Sequence, residues 1–478
     1  MHNSSDDKIH EECGVIGIYR TESNDNIKDD IRYGLFALQH RGQESCGISV
    51  STGTDIVTYK DVGLVPEVLT DSRLAKLPGG RAAIGHTRYG TTGGTTQTNA
   101  QPIHVRHANG VLSLAHNGNI TNTAKLREKY RQLGIIFHST SDTEVIAYTV
   151  AHRRLGCSST EEAVEKTMGI IEGAYSLVIL TPDKLIAARD PNGFRPLCIG
   201  KFDDGGYVFA SESAALDAVG AKFVRDAEAG EILTVKNNIL TTFKKGVGKP
   251  KALCAFEYIY IARPDSVIEG MQVHTARKNA GKILARDYPV EADTVIGAPD
   301  SGLDAALGYS EQSGIPYGVG LLKNRYIGRT FIQPRQAERE NSVKIKLSPI
   351  RRTLEGKRVV LVDDSIVRGT TMRKTVNLLR EGGAAEVHVR LASPKFIAPC
   401  YFGIDVDSKD NLIACQCGSL DEIAAAIGAD SVAFLTTEQF KESVAASGCE
   451  FCMGCFTDKY PVEIDRGRTK DKFESPVK

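Results

Sequence analysis

Three groups of residues in this 478-residue chain have types and spacings that can do chemistry. The first is Cys13. A polar leader, residues 1–12, precedes it, and the apolar run Gly14-Val15-Ile16-Gly17-Ile18-Tyr19 follows it. Removal of the leader would make Cys13 the N-terminus. Its own α-amine, with a pKa of about 8, would then take the thiol proton, as in an N-terminal nucleophile. The bland alternative is a buried structural cysteine. The second group ends the apolar run Val359-Val360-Leu361-Val362, where Asp363 and Asp364 are followed by Ser365, Arg368, Gly369, Thr370 and Thr371. Backbone N–H groups of such a loop, at the start of a helix, cradle a phosphate. The two acids can hydrogen-bond vicinal ribose hydroxyls or hold Mg²⁺ through water. The third group is Cys449, Cys452 and Cys455 at repeated C-x-x-C spacing, with Cys254 and Cys400 far upstream. Four thiolates suit zinc or an iron–sulfur cluster.

The elements that must position these residues fall into two textures. Over 13–245, short β-type runs (14–19, 111–115, 175–180) mix with helices, one of them opening near 142 with Ser141 or Asp142 as N-cap. That mixture predicts an α+β layered domain. The polar stretch Phe243-Lys244-Lys245-Gly246-Val247-Gly248-Lys249-Pro250 marks a boundary. Beyond it, continuous apolar strands at 294–298, 358–362 and 386–391, with helical periodicity over 371–380, predict a parallel α/β sheet within 246–445. In such a sheet ligands bind at the carboxyl ends of the strands, where the acid pair lies. The cysteine-bearing segment 446–478 closes the chain.

Composition narrows the class. The 59 basic and 59 acidic side chains cancel, so neither nucleic acid nor membrane is expected as the main partner. No run of about 18 apolar residues suggests a transmembrane helix. Asp6, Asp7, Glu11 and Glu12 rule out a secretory signal, which leaves the leader as a pro-segment. The expected compartment is cytoplasmic and reducing, without disulfides. Among the 11 cysteines, Cys46, Cys157, Cys198, Cys415 and Cys417 read as core.

The acid-pair element resembles the phosphoribosyl pyrophosphate (PRPP) loop of type I phosphoribosyltransferases. The resemblance makes Gly297-Ala298-Pro299-Asp300-Ser301-Gly302 the pyrophosphate loop. It makes Lys323-Asn324-Arg325-Tyr326-Ile327-Gly328-Arg329-Thr330-Phe331 a flap that closes over PRPP. It implies PRPP binding by Asp300, Ser301, Lys323, Arg329, Asp363, Asp364, Ser365, Arg368, Gly369, Thr370 and Thr371, and Mg²⁺ held by Ser301, Asp363 and Asp364. In the first half, Gln39-His40-Arg41-Gly42-Gln43-Glu44, Gly85-His86-Thr87-Arg88-Tyr89-Gly90, His116-Asn117-Gly118-Asn119 and Ser139-Thr140-Ser141-Asp142 surround Cys13 in type. Together they resemble the N-terminal-nucleophile glutaminase domain of class II amidotransferases, an αββα sandwich. By that resemblance Arg88 pairs with the α-carboxylate of glutamine and Asp142 with its α-ammonium. Asn117 and the Gly118 N–H would stabilise the oxyanion formed on attack by Cys13, and Arg41 would order a loop over bound glutamine.

A glutaminase followed by a type I phosphoribosyltransferase is similar to the glutamine PRPP amidotransferase family, which opens de novo purine synthesis. That resemblance implies glutamine and PRPP as substrates, purine nucleotides as inhibitors and a homodimer or homotetramer. It also implies a [4Fe–4S] cluster on Cys254, Cys400, Cys452 and Cys455, with Cys449 a bystander, although spacing alone serves Cys449 with Cys452 equally well. Cleavage of the pro-segment would fall between Glu12 and Cys13. Competing readings are another class II amidotransferase, such as a sugar-phosphate aminating enzyme, which lacks the Asp363-Asp364 loop, and a non-catalytic PRPP-sensing regulator, which has no use for a glutamine pocket.

Overall fold

The computed structural model describes residues 13–89, 95–245, 250–324, 347–406 and 408–464. Its first domain follows from the two faces of the strand Gly14–Asn24. Successive side chains of a strand point to opposite sides. Ile16 and Ile18 pack with Ile48 and Val50 beneath Ile31 and Leu35 of the helix Ile27–Ala37. Val15 and Tyr19 face the other way, onto Ala115, Val178 and Leu180 of a second sheet. The first sheet has seven strands and the second six, with antiparallel pairing throughout. The outer face of the second sheet carries Leu112, Leu114, Leu177 and Ile179 and is covered by Val145, Ile146 and Val150 of the helix Asp142–Arg154. The layers are therefore αββα, as expected. Ser141 is the N-cap of that helix, its hydroxyl accepting the Thr143 N–H, while Asp142 is the first helical residue.

The second domain is a parallel sheet of Thr294–Gly297, Arg358–Asp363, Glu386–Leu391 and Ser431–Phe434 in that spatial order. Its strands are buried on both sides, as their unbroken apolar runs require. Val295, Val360 and Val362 pack against the helices Val273–Asp287 and Leu303–Ser313. Val359, Leu361, Val387 and Val389 pack against Thr370–Glu381 and Leu420–Ile427.

The segment beginning at 446 is part of a layer between the domains. Phe451–Cys452 pairs in parallel with Leu253–Cys254, with Cys254 opposite Cys452. This core includes Ala174 and Phe194 from the first domain and Phe396, Cys400 and Phe402 from the second. Phe194 stacks on Phe402 at 4.5 Å between centroids, a contact worth about 1 kcal/mol beyond its buried area. No helix among the described residues is long and apolar enough to cross a membrane. The leader 1–12, the loop 90–94, the boundary residues 246–249, the flap from Arg325 through Phe331 with Arg329, and the tail from 465 lie outside the described residues.

Candidate active sites and cysteine centre

Cys13 stands immediately before the strand Gly14–Asn24, buried between the two sheets' edges. Gly14 is opposite Thr87 in the neighbouring strand Gly80–Arg88, and the Cys13 thiol donates to the Tyr89 carbonyl at 3.7 Å. Arg88 thus reaches the same end of the sheet as the thiol, buried, with Glu44 at 3.7 Å. From the second sheet comes Asn117, fully buried, whose Nδ2 donates to Ser211 Oγ at 3.3 Å. Ser211 in turn is tied to the nucleophile's strand, because its hydroxyl accepts the Val15 N–H at 3.0 Å. Gly118 has φ +139°, and a Cβ there would lie 2.2 Å from the Ala174 carbonyl oxygen. Only glycine tolerates that backbone and that approach. Asp142 accepts the Ile120 N–H at 3.1 Å and faces His116 at 3.7 Å. Burial alone would raise its carboxyl, but His116 and the N–H groups of Ile120 and Thr143 hold it below its ordinary value. Asp142 is therefore an anion in a buried setting, the charge an ammonium group needs.

Arg41, expected to order a loop over bound glutamine, bonds within the protein's own interior. It is 0% exposed and spends its guanidinium on the protein. Nε donates to the Cys13 carbonyl at 3.1 Å, Nη1 to Glu212 at 2.6 Å and Glu257 at 2.9 Å, and Nη2 to Glu257 at 2.7 Å. Burial alone would raise the Glu212 carboxyl, but His40 and Arg41 keep it well below the usual range. Glu257 opens a single π-helical turn, Glu257–Ile261, in the layer between the domains. Arg41 therefore anchors the backbone of the nucleophile to that layer. Arg195 adds to the same anchor, with Glu257 at 3.5 Å and a 2.6 Å bond to the Phe402 carbonyl.

In the second domain, Asp363 ends its strand and Asp364 follows, both buried. Ser301 Oγ donates to Asp364 at 2.5 Å and lies 3.5 Å from Asp363, so the pyrophosphate-loop serine and both acids meet. Ser365 donates to the other oxygen of Asp364 at 2.5 Å. Lys323 pairs with Asp300 at 2.6 Å on the rim. Gly369 (φ +86°) is the N-cap of the twelve-residue helix Thr370–Glu381, and a Cβ on it would sit 2.5 Å from Ile413 Cδ1. Arg368, Thr370 and Thr371 flank it, which puts a helix start beside the acids. Arg277, fully buried, donates to the carbonyls of Tyr258 and Ala262 at 2.8 Å, and its charge acts on Asp304 and Asp364. It links the π-turn to the acid pair.

Cys254, Cys400, Cys452 and Cys455 are all buried in the interdomain core and all reduced. Burial pushes the Cys452 thiol up to about 12. It also raises the Cys455 thiol well above its ordinary value, with Cys400, Cys254 and Cys452 as the next causes. The four thiols form a donor set without a carboxylate or an imidazole, and its chemistry fits a group taking four thiolates. Among the described residues no three such side chains close on a single ion. Cys449 is half-buried beside Glu269 and Tyr258, apart from the four. Cys46 and Cys198 are core as expected, and Cys157 and Cys417 are half-buried. Cys415 is exposed, on the short helix Ile413–Gln416, and so is no core residue.

Glu212, Glu257, Arg195, Arg277 and Ser211 were not singled out by sequence. Glu257 had a signal, since Cys254-Ala255-Phe256-Glu257-Tyr258 is charged in the midst of an apolar run. The others lie in ordinary helix-start or strand-end contexts.

Known proteins resemble this chain in sequence and fold. Family profiles match residues 86–218 as a glutamine amidotransferase domain and 271–392 as a phosphoribosyl transferase domain. The amidophosphoribosyltransferase of Methanocaldococcus jannaschii is 48% identical over 468 residues, covering 95% of this chain and 98% of its own. That of Bacillus subtilis is 47% identical, covering 95% of each. The solved structure of glutamine PRPP amidotransferase from B. subtilis, complexed with ADP and GMP, superposes with a TM-score of 0.88 at 46% identity, over 95% of this chain and 98% of that one. A structure described as the allosteric regulatory enzyme of purine biosynthesis superposes at 0.90 with 45% identity, over 97% and 99%.

Proposed function

The chain belongs to the amidophosphoribosyltransferase family, and from that premise we propose how its residues divide the reaction. The enzyme is a glutamine amidotransferase and a pentosyltransferase. It hydrolyses glutamine and passes the ammonia to PRPP, giving 5-phosphoribosylamine, pyrophosphate and glutamate, the first step of purine biosynthesis.

Cys13, freed of residues 1–12, gives its thiol proton to its own α-amine and attacks the amide carbon. Arg88 pairs with the α-carboxylate of glutamine and Asp142 with its α-ammonium. The Asn117 amide and the Gly118 N–H take the oxyanion charge, each such donor being worth about 10²–10³ in kcat. Collapse expels ammonia, which leaves with the proton held by the α-amine, and water then hydrolyses the thioester. Arg41 keeps the Cys13 carbonyl fixed throughout. In the second site, the N–H groups at Gly369, Thr370 and Thr371, with Ser365 and Arg368, hold the 5-phosphate. Asp363 and Asp364 hold the ribose hydroxyls, and Asp300, Ser301, Lys323 and Arg329 hold the pyrophosphate.

Ser301, Asp363 and Asp364 would hold Mg²⁺, which when bound neutralises charge on the leaving pyrophosphate. Cys254, Cys400, Cys452 and Cys455 would hold a [4Fe–4S] cluster, whose iron–thiolate bonds cross-link the interdomain layer. Purine nucleotides are the regulators we assign, in keeping with the nucleotides named for the B. subtilis structure. The assembly is a homodimer or homotetramer, and the compartment is the cytoplasm.

The observation that carries this reading is the convergence of Cys13, Arg88 and Asn117 at one end of two facing sheets, with Ser211 bonded to both Val15 and Asn117. The test is pyrophosphate release from PRPP by Cys13→Ala. It should vanish with glutamine and persist with ammonia. Undiminished use of glutamine would refute the role of Cys13.

A further inference from the structure

The Asn117 side chain has a bonding pattern that leaves two atoms unsatisfied. Its Nδ2 donates to Ser211 Oγ at 3.3 Å, and its Oδ1 is buried with no hydrogen-bond partner among the described residues. Ser211 is itself buried, and its Oγ already accepts the Val15 N–H at 3.0 Å. A hydroxyl has one hydrogen and two lone pairs. With both lone pairs taken by N–H donors, the Ser211 hydrogen has no acceptor and the Asn117 oxygen no donor among the described residues, although the two groups touch. Buried polar groups left this way are costly. The nitrogen and oxygen of an amide have nearly the same shape, so their assignment follows from the hydrogen-bond network. A half-turn of the amide resolves both defects. Ser211 O–H then donates to Asn117 Oδ1 while Oγ still accepts from Val15 N–H, and both hydrogens of Asn117 Nδ2 are released.

We propose that Ser211 is the positioning residue that fixes the Asn117 amide with its NH₂ group free for the oxyanion. The inference rests on the reading of Asn117 as an oxyanion donor. Ser211 suits the task because it is fastened to the strand that begins at the nucleophile. Its backbone N–H donates to the Val15 carbonyl at 3.0 Å and its hydroxyl accepts the Val15 N–H. One residue thereby fixes the distance between the attacking atom's strand and the donor that receives the developing charge. In the second sheet Asn117 pairs with Ser176 of the next strand.

The test uses the full, processed enzyme carrying Ser211→Ala, Ser211→Cys, Asn117→Ala or the double change Asn117→Ala with Ser211→Ala. Ammonia-dependent synthesis reports that the second domain is intact. Expected for Ser211→Ala is a fall in glutaminase kcat of roughly 10–100-fold, less than outright loss of an oxyanion donor, with KM for glutamine changed by less than about threefold and ammonia-dependent synthesis retained. Ser211→Cys keeps the volume but offers only a weak donor, and should fall with it. The double variant should be no slower than Asn117→Ala, because Ser211 acts through Asn117. A normal kcat in Ser211→Ala, a rise in KM alone, or full additivity in the double variant would overturn the proposal. Asn117→Ala separates the two possible failures. If it is slow while Ser211→Ala is normal, only the role of Ser211 falls; if it too is normal, the oxyanion reading falls and takes the proposal with it.

Discussion

Replacing Arg41 by methionine should destabilise the enzyme far more than it weakens glutamine binding. The guanidinium is fully buried among two carboxylates and one carbonyl. Its two acids are not equally dependent on it. Without Arg41, Glu212 keeps His40 at 2.8 Å, the Arg263 N–H at 2.9 Å and the Ser266 hydroxyl at 2.7 Å. Glu257 loses bonds of 2.7 and 2.9 Å and retains Arg195 only at 3.5 Å. It becomes a poorly compensated charge in an apolar core. Breaking a buried pair from one side costs about 3–5 kcal/mol. For a cooperative unit of 150–250 residues that is a fall in Tm of roughly 6–20 °C. Calorimetry on Arg41→Met, Glu257→Gln and the double variant checks it. The double variant should recover more than half of the loss, since methionine then faces a neutral amide. Below the transition, KM for glutamine should move by less than about threefold while kcat falls, because the Cys13 carbonyl has lost its anchor. A Tm within about 2 °C of the native value, combined with a large rise in KM, would refute the anchor and return Arg41 to the substrate.

Other outcomes follow from the same geometry. Asp363→Asn with Asp364→Asn should abolish synthesis with both glutamine and ammonia, and calorimetric titration should find no PRPP binding; unchanged binding contradicts the assignment. Protein prepared without oxygen should be brown with about four iron per chain. Cys452→Ser or Cys455→Ser should yield insoluble or unfolded chain, since metal binding is coupled to folding; a colourless, active zinc protein contradicts it. Burial, ahead of the opposing charges of Arg189 and Glu269, raises the Asp226 carboxyl from 3.8 to about 6. The folded state therefore holds that proton more tightly than the unfolded chain, and ionisation costs stability as pH rises from about 4 to about 6. Asp226→Asn, measured by urea unfolding against the native enzyme, should gain relative stability across that window; a constant difference contradicts the shift.

Much of this was legible in the sequence because it was local. The unbroken run 359–362 reads as a strand buried on both faces, and the acids, glycine and threonines after it read as the strand–loop–helix turn that the structure has. The strand Glu386–Leu391 has the predicted bounds, and the helix predicted over 371–380 extends by one residue at each end. The loss of legibility begins with contacts between distant segments. Arg41 stands in a polar string that reads as a surface loop, and nothing within that string announces Glu212 or Glu257, 171 and 216 residues away. Ser211 is a common residue in a common place, and its importance lies in two bonds spanning 196 and 94 residues. Spacing alone left Cys449 and Cys455 interchangeable as partners of Cys452. Their different surroundings are likewise non-local: Phe451–Cys452 pairs with Leu253–Cys254 and the short helix Gly454–Thr457 carries Cys455 into the core, while Cys449 lies beside Glu269. Cys415 was misread because its apolar neighbours Ile413 and Ala414 face inward from a helix of one turn that leaves the thiol outside.

The central claim is that Cys13 attacks glutamine as the N-terminal residue of the processed chain. Peptide mapping by mass after inactivation with an electrophilic glutamine analogue, a diazoketone, tests it most directly. The account predicts one adduct per chain, on an N-terminal peptide that begins at Cys13, formed in step with loss of glutaminase turnover and with ammonia-dependent synthesis retained. An adduct on any other of the 11 cysteines, or full glutaminase turnover by a homogeneous preparation still carrying residues 1–12, would contradict it.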